Sequence, residues 1–218
     1  MVVQNTGNRL ARPHFDWPLC LTAYALALFG VLAVSSEYGT GMIRVTLAAT
    51  PRRITVLASK TANVAGLTLA AGAVAALGAV LAGRLILPGQ GFTAAHGYQA
   101  LSLADGTVLR AAAGSALYLT LIALLGVGVA TAVRDSAVAI GTVLGLLYLF
   151  PILTSVVTDP HWQRHLQQVA PMTAGLYIQA TTGLHSLPLT PWQGLGVLAA
   201  WAAAALLAGA LLLRLRDA

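Results

Sequence analysis

Residues Thr107 to Val157 read TVLRAAAGSALYLTLIALLGVGVATAV-RD-SAVAIGTVLGLLYLFPILTSVV, and this stretch decides the fold class. Two apolar runs, from about Thr107 to Val133 and from about Ser136 to Val157, are separated only by Arg134 and Asp135. As a helix, each run is long enough to cross a hydrocarbon core of roughly 30 Å. The Arg-Asp pair reads as a tight connection between them. Composition extends this reading to the rest of the chain. The 218 residues are 58% hydrophobic and only 8% charged, with a mean hydropathy of +0.80. Ordinary soluble domains run at roughly 45–50% apolar and about 25% charged. The sequence is that of an all-α, polytopic helical membrane protein.

Working outward, three more spans are predicted, at about Trp17 to Ser35, Thr61 to Ala82 and Pro191 to Leu213. That makes five. Trp17 stands at a span end, where membrane aromatics favour the interface. Arg84 to Asp105 reads as a loop marked by Pro88, Gly89 and Gly91. The longest non-spanning region is Asp159 to Thr190. Residues 1–16 are polar, with neither an apolar core nor a small-residue cleavage site, and are not read as a signal peptide. With no internal repeat and no low-complexity linker, residues 1–218 form one transmembrane domain.

The formal charge of +6 comes from eleven Arg and one Lys, set against six acids. Basic residues at span ends set orientation and meet anionic lipid head groups, so no nucleic-acid partner is implied. Arg44, Arg52, Arg53, Lys60, Arg134, Arg214 and Arg216 fall on one side of the predicted membrane. The other side holds Arg9, Arg12, Arg84, Arg110 and Arg164, and of these Arg84 and Arg110 flank spans and are expected to snorkel. The richer side is therefore expected to be cytoplasmic, with the C-terminus on it and the N-terminus opposite. The single Cys20 has no internal disulfide partner.

Several chemistries are excluded by what is missing. A phosphate-cradling GxxxxGK[ST] loop needs a lysine, and around the only one, Lys60, Ile54 and Ser59 stand where the glycines belong. No acid lies within a span, and His14, His96, His161, His165 and His185 all fall in non-spanning regions. No catalytic residue is therefore assigned at membrane depth, where ionisable groups are usually functional. Ser115, Thr120 and Thr142 are read as helix–helix hydrogen-bonding groups. His161 and His165 have i,i+4 spacing, as zinc ligands can, but Trp162 replaces the Glu of a zinc-protease HExxH. Asp159 and Pro160 instead start an interfacial helix with Trp162 and Leu166 toward lipid, and no metal site is expected. Gly141 and Gly145 form a GxxxG helix-packing pair, read first as packing within the subunit and second as self-association. Gly66, Gly72 and Gly78 make the second span a close-packing surface.

The remaining stretch is the most polar one between two spans, Ser35 to Lys60, SSEYGTGMIRVTLAATPRRITVLASK. Thr40 can cap a short amphipathic helix carrying Met42, Ile43, Val45 and Leu47, which Pro51 stops by disfavouring helix geometry at Thr50. Glu37 before this helix and Arg52 and Arg53 after it suit the helix dipole. Two or three turns are marginal alone in water, so the segment needs a surface to lie on.

This run closely resembles the segment after the second membrane helix in permease subunits of ATP-binding-cassette transporters, of the type-2 export-permease family. The shared elements are Glu37, Tyr38, Gly39, Thr40 and Gly41, then Ile43-Arg44, Leu47-Ala48, Pro51, Arg53 and Lys60. Pro171-Met-Thr-Ala174-Gly175 looks like the family's Pro-x-x-Ala-Gly before the last span, and Thr190-Pro-Trp192 through Asp217-Ala218 is similar to its C-termini. The resemblance implies six spans with the first absent here, a gap expected to reflect a start placed downstream of that helix. It implies a coupling helix within residues 37–53, with Glu37, Tyr38, Gly39, Thr40, Arg44, Pro51, Arg52 and Arg53 docking a cytoplasmic ATPase subunit. It further implies a second permease subunit and a bacterial inner membrane. ATP and Mg would lie on the partner ATPase, with no cofactor on this chain. A path without charged residues favours a drug, lipid or other amphipathic cargo. The alternative is a non-transporting scaffold or immunity-type protein of the same fold.

Overall fold

The computed structural model describes residues 31–32, 53–86, 106–181, 184 and 187–215. They form α1 (Arg53–Ile86), α2 (Gly106–Val133), α3 (Ser136–Val156), α4 (Pro160–Val169) and α5 (Pro171–Leu176). A 3-10 turn (Tyr177–Gln179) and α6 (Pro191–Leu215) complete the set, with no strand among the described residues. Four of these helices, α1, α2, α3 and α6, are long and apolar enough to cross a membrane. Of the span predicted at 17–35, only Val31 and Leu32 are described, and both are helical.

The boundaries follow local chemistry. Arg134 turns the chain with a positive φ of 63°, a left-handed conformation uncommon outside glycine, so that α2 reverses into α3 in two residues. Its backbone N–H still donates to the Ala130 carbonyl at 2.9 Å. Asp135 then caps α3, its carboxylate accepting from the Val138 N–H at 2.8 Å. Asp159 does the same for α4 by accepting from the His161 N–H, with Pro160 in the first turn. At the head of α6, the Thr190 N–H donates to the Gln193 side chain at 3.1 Å, the reciprocal half of a capping box. Pro191 follows at the position where its missing N–H costs nothing.

Packing centres on α2. In α2, 67% of the spanning window is buried, against 17% in α1 and α3 and 22% in α6, so the other three helices surround it. Tyr118, Ile122, Leu125 and Val127 are fully enclosed. α6 runs parallel to α2: Gly128 lies against Ala205 and Gly209 against Thr131. Nearer the helix starts, Leu117 to Leu124 share a cleft with Trp192 to Ala199. The turn after α2 and the end of α6 therefore lie at one end of the bundle. α1 meets α2 where Gly72 faces Ala116. The outward faces carry Leu67, Val74 and Leu81 on α1, Val138 and Ile152 on α3 and Leu207 on α6. This inversion of the soluble pattern is what a lipid solvent requires.

Four expectations are corrected. The second span ends at Ala82 as expected but reaches back to Thr55 rather than Thr61, within a helix, α1, that runs from Arg53 to Ile86. Polar residues limit a span but not a helix, because their hydroxyls bond backward within it: Ser59 to the Val56 carbonyl at 2.9 Å, Thr61 to that of Leu57 at 2.7 Å. Second, Ser115, Thr120 and Thr142 do not bridge helices. Their hydroxyls donate to Ala111, Ala116 and Val138 of their own helices at 2.7, 2.8 and 2.7 Å. The carbonyl one turn back is always within reach, whereas no polar partner has to be supplied across an apolar interface. Third, among the glycines of the second span only Gly72 makes a close contact, while Gly66 and Gly78 face open space. Fourth, Arg84 to Ile86, expected to open the loop that reaches Asp105, are instead the last residues of α1.

Candidate functional site

The expected docking residues Glu37, Tyr38, Gly39, Thr40, Arg44, Pro51 and Arg52 lie outside the described residues. Arg53 opens α1. From that point the helix runs unbroken for 34 residues. It turns Leu57, Val64 and Thr68 into the core, and the Thr68 hydroxyl is satisfied by the Val64 carbonyl at 2.7 Å. At 1.5 Å rise per residue, such a rod is roughly 50 Å long. Gly141 and Gly145 are exposed on α3, and a Cβ at either would meet nothing within 4 Å. The pair does not pack against the other described helices.

Between α2 and α6 lies a cleft of about 440 Å³ open to the bundle surface. Leu117, Thr120, Leu121 and Leu124 form one wall, and Trp192, Leu195, Gly196 and Ala199 the other. Its one hydroxyl, on Thr120, already donates to the Ala116 carbonyl. The indole of Trp192 at the rim is therefore the single side-chain polar group of the lining not turned back onto its own helix. The volume is within the usual range for ligand sites, and the lining suits apolar matter.

A compact cap sits beside this cleft, built from α4, α5 and the 3-10 turn. Three side chains tie it to the long helices. Arg110, in the first turn of α2, donates from Nη2 to the Ala180 carbonyl at 2.6 Å, so the expected snorkelling arginine is a clasp. Trp201 of α6 donates to the Val169 carbonyl at the end of α4 at 3.0 Å, its ring edge-on to Phe150 with centroids 6.3 Å apart. Gln163 reaches back to the Val157 and Thr154 carbonyls that close α3, at 2.5 and 3.4 Å. Where the cap meets the long helices, Gly175 of α5 lies against the Tyr118 ring of α2 and Gly194 of α6 against the Ala174 carbonyl of α5, both too close for a side chain. Tyr177 is pressed into this junction, and burial pushes its phenol up from 10.0 to about 12. Trp162 is exposed as expected.

Sequence reading anticipated the cap's first helix but neither the cleft nor the bonds that hold the cap in place. Thr190-Pro-Trp-Gln193 was a legible capping box, but nothing in the spacing of Arg110 or Trp201 announces a partner 70 or 32 residues away. Among the described residues no group of three or more His, Cys, Asp or Glu is placed to hold a metal ion. No family model matches the chain, and no curated protein or solved structure matches it either.

Proposed function

We propose that this chain is the permease subunit of an ATP-driven exporter of apolar or amphipathic molecules. A cytoplasmic ATP-binding subunit, carrying the ATP and Mg, docks on residues 37–53. A second permease subunit completes the path across a bacterial inner membrane, with the C-terminus cytoplasmic. The observation that carries this reading is adjacency: in sequence, the charged stretch that resembles a coupling helix directly precedes α1, a helix uninterrupted from Arg53 to Ile86 that turns Leu57, Val64 and Thr68 into the core. On this reading, a push delivered to the start of α1 acts on a single helix unbroken over 34 residues. The leucine-lined cleft supports the cargo class, because it presents no charge and its hydroxyl is already bonded.

The test is reconstitution in vesicles with the ATPase subunit encoded beside it. Wild type is expected to bind that subunit, to stimulate its hydrolysis and to move a fluorescent amphipathic cargo. Glu37→Ala and the paired Arg52→Ala/Arg53→Ala variants are expected to insert normally but to lose transport while hydrolysis continues. Wild-type transport by these variants at equal expression removes the coupling role. Binding of an ATPase without any cargo movement favours the scaffold reading.

A further inference from the structure

The cap helix α4 carries a feature that export does not use. Asp159 and Pro160 fix its first turn, and His161 and His165 then project from one face, one turn apart. Both are exposed, and their rings stand edge-to-face with centroids 4.5 Å apart and planes at 64°. That separation is informative. A metal ion lies about 2.0–2.1 Å beyond the imidazole nitrogen it binds, hence roughly 3.2 Å from the ring centre. Two rings at a right angle about one ion therefore have centres about 4.5 Å apart, and two at a tetrahedral angle about 5.2 Å. The observed 4.5 Å puts the two rings close enough together to share one ion, and the preference of such a site among metals follows the affinity order with Cu(II) above Ni(II) and Zn(II).

We propose that His161 and His165 form a two-histidine chelate for a divalent transition metal, Cu(II) foremost, with water filling the remaining positions. The Asp159 carboxylate accepts from the His161 N–H at 2.8 Å as the helix cap, and the chelate proposed is that of the two imidazoles alone. The exposed Arg164 next to His165 adds positive charge and no donor pair for a cation. With two protein ligands the ion is exchangeable, and the order of preference follows Cu(II) above Ni(II) and Zn(II). The proposal stands independently of the export reading.

The experiment uses the full chain, purified in detergent without a histidine tag and titrated with copper(II) sulfate, nickel(II) sulfate and zinc sulfate in turn. Binding is read by electron paramagnetic resonance for copper and by calorimetry for all three. Quenching of the neighbouring Trp162 fluorescence gives a local report. Wild type is expected to take up one copper ion with two nitrogen ligands. His161→Asn and His165→Asn are each expected to weaken it at least tenfold, since losing a direct ligand costs no less than the roughly 10–100-fold of losing a ligand's support. An unchanged circular dichroism spectrum shows that these exposed substitutions leave the fold intact. Equal copper affinity in the His161→Asn/His165→Asn double variant overturns the proposal, as does zinc binding tighter than copper in wild type.

Discussion

At the residue scale, two side-chain positions carry consequences that can be measured. The Tyr177 phenol is raised from 10.0 to about 12 by burial, so on raising pH the unfolded chain ionises first. Stability contributed by keeping this ring neutral is complete below pH 10 and is lost as pH climbs through about 12. An ultraviolet titration is expected to lose one late-ionising tyrosine when Tyr177→Phe is compared with wild type. Gly128 presents a contrast between two glycines on neighbouring helices. A Cβ there would stand 2.6 Å from the backbone of Ala205, whereas one at Gly141 would meet nothing within 4 Å. Gly128→Val is therefore expected to force α2 and α6 apart and destabilise by about 1–3 kcal/mol, seen as a lower thermal midpoint in detergent. Gly141→Ala is expected to stay within about 0.5 kcal/mol of wild type. Neither outcome is legible in composition, because both residues sit in equally apolar, Gly/Ala-rich surroundings.

At the scale of elements, the cap of α4, α5 and the 3-10 turn is held by a few directed bonds rather than by a broad core. Arg110 supplies a charge-assisted one, worth roughly 1.5–3 kcal/mol when its loss leaves a shielded carbonyl unsatisfied. Arg110→Met keeps the aliphatic stem and removes the donor. Faster hydrogen exchange is expected across residues 177–181 in that variant, with α2 protection unchanged. Trp201→Phe removes only the bond to Val169, an ordinary one of about 1 kcal/mol, and is expected to loosen α4 while keeping the contact with Phe150. If exchange in the cap is the same in both variants as in wild type, the clasps do not hold it. These elements were partly readable: Asp159-Pro160 and Thr190-Pro191 announce helix starts by rules that act within four residues. The clasps act over long sequence separations and obey no such rule.

For the whole molecule, the cleft between α2 and α6 is the feature through which the proposed export reading can be tested. Gly196 lines it, and a Cβ at that position would meet nothing within 4 Å, so a larger side chain fits without disturbing the helices. Gly196→Leu is expected to fill the cleft, keep stability within about 0.5 kcal/mol of wild type, and reduce cargo-stimulated hydrolysis by the proposed ATPase subunit. Undiminished stimulation would place the cargo path elsewhere. The parallel course of α2 and α6 puts the Arg134-Asp135 turn and the final helix end together, in keeping with the grouping of basic residues drawn from sequence.

The amino-acid sequence alone determined that this is a helical membrane protein and where most long helices lie, to within two residues for α2, α3 and α6. Span length and apolarity are properties of consecutive residues, and the bilayer sets the threshold for both. Which helix is central, which glycines touch, where hydroxyls find acceptors and what Arg110 and Trp201 hold were decided only by tertiary structure. All four long helices are almost uniformly apolar, so periodicity does not distinguish a lipid-facing side from a packed one. Shape and short-range contact between residues far apart in the chain do.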